Sequence, residues 1–134
     1  PKVAFVSHST FGQPSTNRTK HIKNAVEILK QKNVNFEFDG DMQPDVALNE
    51  EYKNLYPFSK IVGNANILIM PGQHSAAISY KMLKTLGDTK VIGPLLIGLG
   101  LPIEIAPLRS STSEIINLAS IAAYSADVIN YEKN

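Results

Sequence analysis

The 134-residue chain contains no cysteine, which excludes a disulfide framework and thiolate chemistry. Arginine is scarce: only Arg18 and Arg109 stand among 13 basic residues, the other 11 being lysine. Planar forks for phosphate are therefore few, and a formal net charge of +1 does not favour nucleic acid or an anionic membrane as the main partner. No apolar run approaches the roughly 18 residues of a membrane-spanning helix, and no signal-peptide pattern opens the chain, so a cytoplasmic location is expected. There is no GxGxxG dinucleotide fingerprint, internal repeat or long linker. What is present, a 43% hydrophobic content, suffices for one globular domain or one lobe of something larger. The chain starts at Pro1, without methionine and directly before an apolar strand, so a fragment or processed chain is expected.

The sequence is organised around residues 61–83, which read as a buried strand, a tight polar turn and a helix. Residues 66–70 are a short apolar run bounded by turn residues, as expected of a strand covered on both faces. Pro71 and Gly72 end it, since proline cannot donate to a ladder and glycine permits unusual dihedrals. Ser75 suits the N-cap of the next helix, Ile78, Met82 and Leu86 give that helix an apolar stripe, and Gly87 suits its stop. Ligands of open α/β sheets sit where strands end and helices begin. Gln73, His74 and Ser75 are therefore candidate ligand-binding residues.

Upstream, residues 3–6 read as the first strand, followed by a loop and a helix starting near Thr16 with Ile22, Ala25, Val26 and Leu29 on one face. The loop carries Ser7, His8, Ser9, Thr10 and Gly12. It has two readings: an anion site at a helix N-terminus, or ordinary turn and cap chemistry. The pattern leaves both open. Residues 35–38 alternate like a second strand and lead to Asp39, Asp41, Gln43 and Asp45, whose spacing, with Glu50, mimics a calcium loop. Pro44 stands where that loop needs glycine, so turn and N-cap roles ahead of a helix over about 46–55 are the better reading.

Downstream, residues 93–100 and 103–106 read as fourth and fifth buried strands. A final helix over about 115–129 is apolar around much of its circumference and is expected to be buried on more than one side. Residues 111–114 fit the S/T-x-x-E capping box, which is favoured over a catalytic Glu114. His74 reads as a loop hydrogen-bonding residue rather than a general base. His8 and His21, on other elements, suggest no zinc cluster. Strands alternating with helices predict an α/β fold: three layers, with a mainly parallel sheet between flanking helices.

Three segments carry a resemblance. DGDMQPDVAL at residues 39–48 resembles the DGEMQxDxAL signature of phosphate acetyl/butyryltransferases. Residues 57–81 resemble their PxSxxxGxANVLIxP…(G/S)NIxYK block, and residues 92–102 their IGPxLxGLxKPV. With the opening SxST loop the likeness covers nearly the whole chain. It implies the phosphate-acetyltransferase-like half of an isocitrate/isopropylmalate-dehydrogenase-like fold: a single lobe over 1–134, with a partner lobe before Pro1. The last strand and helix, about 101–134, would pack on that missing lobe or on a second chain. The family moves acyl groups between phosphate and coenzyme A, which needs a base and anion clamps. It carries SRG before its last helix and then an aspartate. Here the acid position falls on Glu114, while the Ser-Arg pair falls on Pro107 and Leu108, with Arg109 one residue away. Arg109 and Glu114 are thus catalytic candidates only if the chain is transferase-active. Asp39 joins Ser7, Ser9, Thr10, Gly12, Gln73, His74 and Ser75 as a ligand-binding candidate.

The same fold closes the large bacterial hybrid malic enzymes, whose HSASIS is closer to HSAAIS at 74–79 than is the transferases' AGNIxY. That branch implies a regulatory and assembly region of a homo-oligomer, weak or silent in acyl transfer and sensing a small molecule such as acetyl-CoA. NADP and Mg2+ or Mn2+ would belong to an upstream decarboxylating part. The alternative is an active phosphate acyltransferase.

Overall fold

The computed structural model describes residues 1–87 and 89–132. In chain order the elements are β1 (Lys2–Val6), α1 (Asn17–Lys30), β2 (Glu37–Met42), α2 (Pro44–Leu48), α3 (Glu50–Lys53), β3 (Ile67–Ile69), α4 (Gln73–Leu86) and α5 (Thr112–Glu132). They fall into two compact units, Pro1–Met82 and Leu83–Asn134.

The first unit is an α/β arrangement around a parallel sheet of order β2-β1-β3. The apolar β1 takes the centre, where Val3, Ala4 and Val6 are buried. Helix α1 packs on β2. Its start is set by Thr16, whose hydroxyl accepts the Thr19 N–H at 3.3 Å while Thr19 Oγ1 accepts the Thr16 N–H at 2.8 Å. Val26 and Thr19 are buried and Ile22 and Leu29 half-buried, but Ala25 is exposed. At about 100° per residue the buried stripe is centred between Thr19 and Val26, which leaves Ala25 beyond its rim.

Strand β2 begins two residues later than expected and runs through Asp39, Gly40 and Asp41, so these residues form neither a turn nor an N-cap. Their carboxylates are placed in the ladder because each has a partner there, the condition for burying charge. Asp39 accepts N–H bonds from Gly40 at 2.9 Å and Lys60 at 2.7 Å, and Asp41 accepts the Ser9 hydroxyl. The register with β1 slips between Phe5 and Val6, where Asp41 is the extra residue. Next to it Gly40, at φ 153°, presses its backbone against Phe5.

The helix expected over 46–55 is two short helices, broken at Asn49. That residue is extended, and its side chain accepts the Glu51 N–H at 2.9 Å; asparagine gains more as the cap of α3 than as a helix interior residue. Gln43 holds the cap position of α2 without a side-chain bond, and Pro44 opens the helix. Met42, Val46 and Ala47 join Ala4, Ile61 and Ala65 in the core.

Strand β3 is shorter than expected and is not covered on both faces: Ile67 and Ile69 are 40% and 42% exposed. It is an edge strand, with β1 as its only hydrogen-bonded neighbour among the described residues. Helix α4 starts at Gln73, two residues before the expected cap. Gly72 O accepts both the Ala76 N–H (3.1 Å) and the Ser75 hydroxyl (2.9 Å), so Ser75 lies in the first turn and Gly72 takes the cap. Glycine is acceptable there, and Pro71 already ends the strand. Gly87 closes the helix on Leu83 O at 3.0 Å, as expected.

In the second unit, residues 93–100 and 103–106 are not strands. Among the described residues neither segment has a ladder partner, and without one an apolar run gains nothing from extended geometry. Ile97, Leu101 and Ile105 are exposed instead. Helix α5 starts and ends three residues beyond the expected bounds. Of its residues up to 129 only Leu118 is buried, and Ile115, Ile116 and Tyr124 face solvent. The apolar circumference is present, but the expected burial on more than one side is not seen. No described helix is long and apolar enough to cross a membrane.

Candidate functional site

Parallel strands bring their C-terminal ends to one edge of the sheet, and the segments that leave β1, β2 and β3 meet there. A cleft of about 740 Å3 opens at this edge. His8 reaches it from the loop after β1, Arg18 and His21 from the first turns of α1, and His74 from the first turn of α4. Ser7 and Ser75 also line it, between apolar walls that include Val6, Ile22 and Ile78. None of the lining residues is a carboxylate. The Arg18 guanidinium and three imidazoles able to donate hydrogen bonds, beside the N-terminus of α4, make an environment for an anion.

The structure separates the predicted residues. Ser7, His74 and Ser75 share this cleft, whereas Gln73 stands at the start of α4, exposed and outside the lining. Ser9 is fully buried: its hydroxyl donates to Asp41 and lies 3.3 Å from Ser7 Oγ, so Asp41 holds the loop that presents Ser7. Thr10 is turned the other way, accepting the Gln43 N–H at 3.3 Å. It lines a second cleft, of about 590 Å3, with Phe11, Tyr56 and Phe58. Phe11 has φ 48°, a cost offset by its N–H bond to Asp41 O (2.7 Å) and by ring contacts to Tyr56 and Phe58 at 5.5 and 4.7 Å. Gly12, at φ 87°, sits in the tight turn closed by Thr10 and Gln13. Asp39 tethers the chain at Lys60 and does not reach the cleft.

Arg109 and Glu114 belong to the second unit. Arg109 lies in an exposed turn closed by Ser110 N–H to Pro107 O at 3.0 Å. Glu114 forms the reciprocal cap of α5: its Oε2 accepts the Ser111 N–H (2.7 Å) and hydroxyl (3.0 Å), and Ser111 Oγ accepts the Glu114 N–H (3.3 Å). Its other oxygen accepts from Lys84. The Lys84 bond and then the Ser111 bonds hold this carboxyl down to about 2, from 4.5. A carboxyl depressed on folding stabilises above its unfolded value and loses that contribution as pH falls toward 2. Thermal melts from neutral to acid pH should therefore show a steeper loss below about pH 4.5 in the parent than in Glu114→Gln. Equal slopes would contradict the assignment.

Sequence reasoning missed Arg18, Asp41 and the convergence of the three histidines. The topology rule was the available signal: residues just after parallel strands share an edge, and Arg18 and His21 are an i,i+3 pair on one helix face. Asp41 was hidden by its polarity. Among the described residues no group of three or more His, Asp or Glu is placed to hold a metal ion.

The phosphate acetyl/butaryl transferase family model matches residues 1–123. The NADP-dependent malic enzyme of Rhizobium meliloti is 50% identical over 126 residues, 94% of this chain but 17% of that protein. The phosphate acetyltransferase of Clostridium acetobutylicum is 35% identical over 127 residues, again 94% of this chain and 38% of its own length. Among solved structures, the EutD phosphotransacetylase from Staphylococcus aureus superposes with a TM-score of 0.85 at 30% identity, over 94% of this chain and 40% of that one. The chain thus spans less than two-fifths of the curated relatives' length. It belongs to the phosphate acetyl/butaryl transferase family.

Proposed function

We propose that this chain is the C-terminal transferase-like region of a malic enzyme, serving assembly and the sensing of acetyl-CoA, and weak or silent in acyl transfer itself. The observation that carries this is the composition of the cleft: His8, Arg18, His21 and His74 with no carboxylate among the lining residues, suited to hold an anion. The state of the catalytic candidates supports it. Glu114 is occupied as a cap and ion-pair partner, and Pro107 and Leu108 offer no anion-binding side chain where the family has Ser-Arg. The 50% identity to a malic enzyme supports the branch. The uncovered apolar faces of α4 and α5 support an assembly role, in a cytoplasmic homo-oligomer.

An effector need only prefer one quaternary state to regulate a distant active site. NADP and the divalent metal would be held by other parts of the protein: this chain has neither the glycine-rich fingerprint nor, among its described residues, a metal-ligand cluster. The test is malate decarboxylation by the full-length protein with and without acetyl-CoA. The expected result is a change of severalfold, with no measurable acetyl phosphate made. An unaffected decarboxylation together with acetyl phosphate synthesis would favour an active acyltransferase, the reading supported by the 35% identity to a phosphate acetyltransferase. In that case Arg109→Ala should abolish turnover.

A further inference from the structure

We propose that the second cleft, walled by Phe11, Tyr52, Tyr56 and Phe58 with Asp45 beside them, is a binding site for a small organic cation of the alkylammonium class. It shares no lining residue with the effector cleft and is independent of it. At about 590 Å3 it has the size of a small-molecule site. Its rings do not stack. Phe11 meets Tyr56 and Phe58 at interplanar angles of 48° and 68°, and Tyr56 meets Phe58 at 83°. Rings so inclined make a corner, which can hold a rounded cation against more than one negative π-face, whereas a stack offers only its outer faces. The corner is firmly built. Phe11 and Tyr56 are half-buried and packed against the core. Phe11 keeps its ring there despite a φ of 48°, a conformation that a bulky residue takes only at a cost. Phe58 and Tyr52 are 64% and 46% exposed, so the outer wall is open to an arriving ligand. The sign of that ligand follows from charge. Among the described lining residues Asp45 is the only charged one. One of its oxygens accepts the Val46 N–H at 2.9 Å, and among the described residues no basic side chain pairs with it. An anion would meet a carboxylate and negative ring faces together, and a neutral ligand would cover the carboxylate without pairing it. An alkylammonium satisfies both.

Choline is the probe, and its control is the neutral alcohol in which carbon replaces the choline nitrogen, since the two share size and shape and differ in charge. Calorimetry of the full-length protein should show choline binding about tenfold more tightly than the alcohol. Phe58→Leu keeps an apolar side chain but removes the π-face, and should weaken choline about tenfold. Phe58→Tyr keeps the face and should bind as the parent does. Asp45→Asn should weaken choline severalfold, an effect that fades as salt is raised. Equal binding of the alcohol, no choline binding at millimolar concentration, or an unchanged affinity in Phe58→Leu would overturn the inference. So would a dimer that Phe58→Leu dissociates and choline leaves intact, because the rings would then form an interface between copies of this chain.

Discussion

Gly40→Ala is expected to cost at least about 3 kcal/mol of stability, enough to unfold a marginal domain. A Cβ at this position would lie 2.7 Å from both Phe5 Cβ and Phe5 O, with φ at +153°. Neither neighbour is the loose end of a side chain. Phe5 sits in β1, pinned between β2 and β3, so relief requires moving the centre of the sheet. Gly12→Ala provides the control: φ there is +87°, but nothing lies within 4 Å of the added carbon, so only the dihedral strain of about 1 kcal/mol is expected. Urea midpoints for the two variants separate collision from strain. Similar losses in both would mean that the contact with Phe5 is not what requires glycine.

Asp41→Ala should be nearly as damaging, by about 2–3 kcal/mol, because it removes the charged acceptor of the buried Ser9 hydroxyl and leaves it only the longer contact with Ser7 Oγ. Asp41→Asn keeps an acceptor of the same shape and should cost clearly less. The consequence extends to binding. Ser9 Oγ also meets Ser7 Oγ, and Ser7 lines the cationic cleft, so loss of Asp41 should loosen that wall and weaken anion binding even where the protein stays folded. A double-mutant cycle with Ser9→Ala measures the link. A coupling energy below about 0.5 kcal/mol would show the two residues acting independently.

The parts of this structure legible in the sequence are those specified by local chemistry. Thr16 marks the start of α1, Ser111 and Glu114 start α5, and Gly87 ends α4, because each supplies or permits a hydrogen bond to backbone a few residues away. The β1–loop–α1 unit was readable for the same reason. Features that depend on distant partners were not. Asp39 and Asp41 look like turn residues until Lys60 and Ser9, both far along the chain, are seen to meet their carboxylates. The apolar runs at 93–100 and 103–106 advertise burial but cannot name a neighbour, and periodicity alone does not supply one. In the cleft, His74 was found from its place after a strand, whereas nothing local in the sequence places His8 and His21 beside it; the parallel topology does.

The order β2-β1-β3 bears on the timing of folding. The strand made first is the middle one, and Val3 pairs with Ile67, so its second neighbour is synthesised last. Until residue 69 has emerged, β1 keeps one bare row of amides and carbonyls, with valines and a phenylalanine beside it. Closing so long a loop is slow compared with forming α1. A nascent or truncated chain ending before β3 would therefore expose its most adhesive segment, and that interval is where chaperone dependence or aggregation of this protein should concentrate.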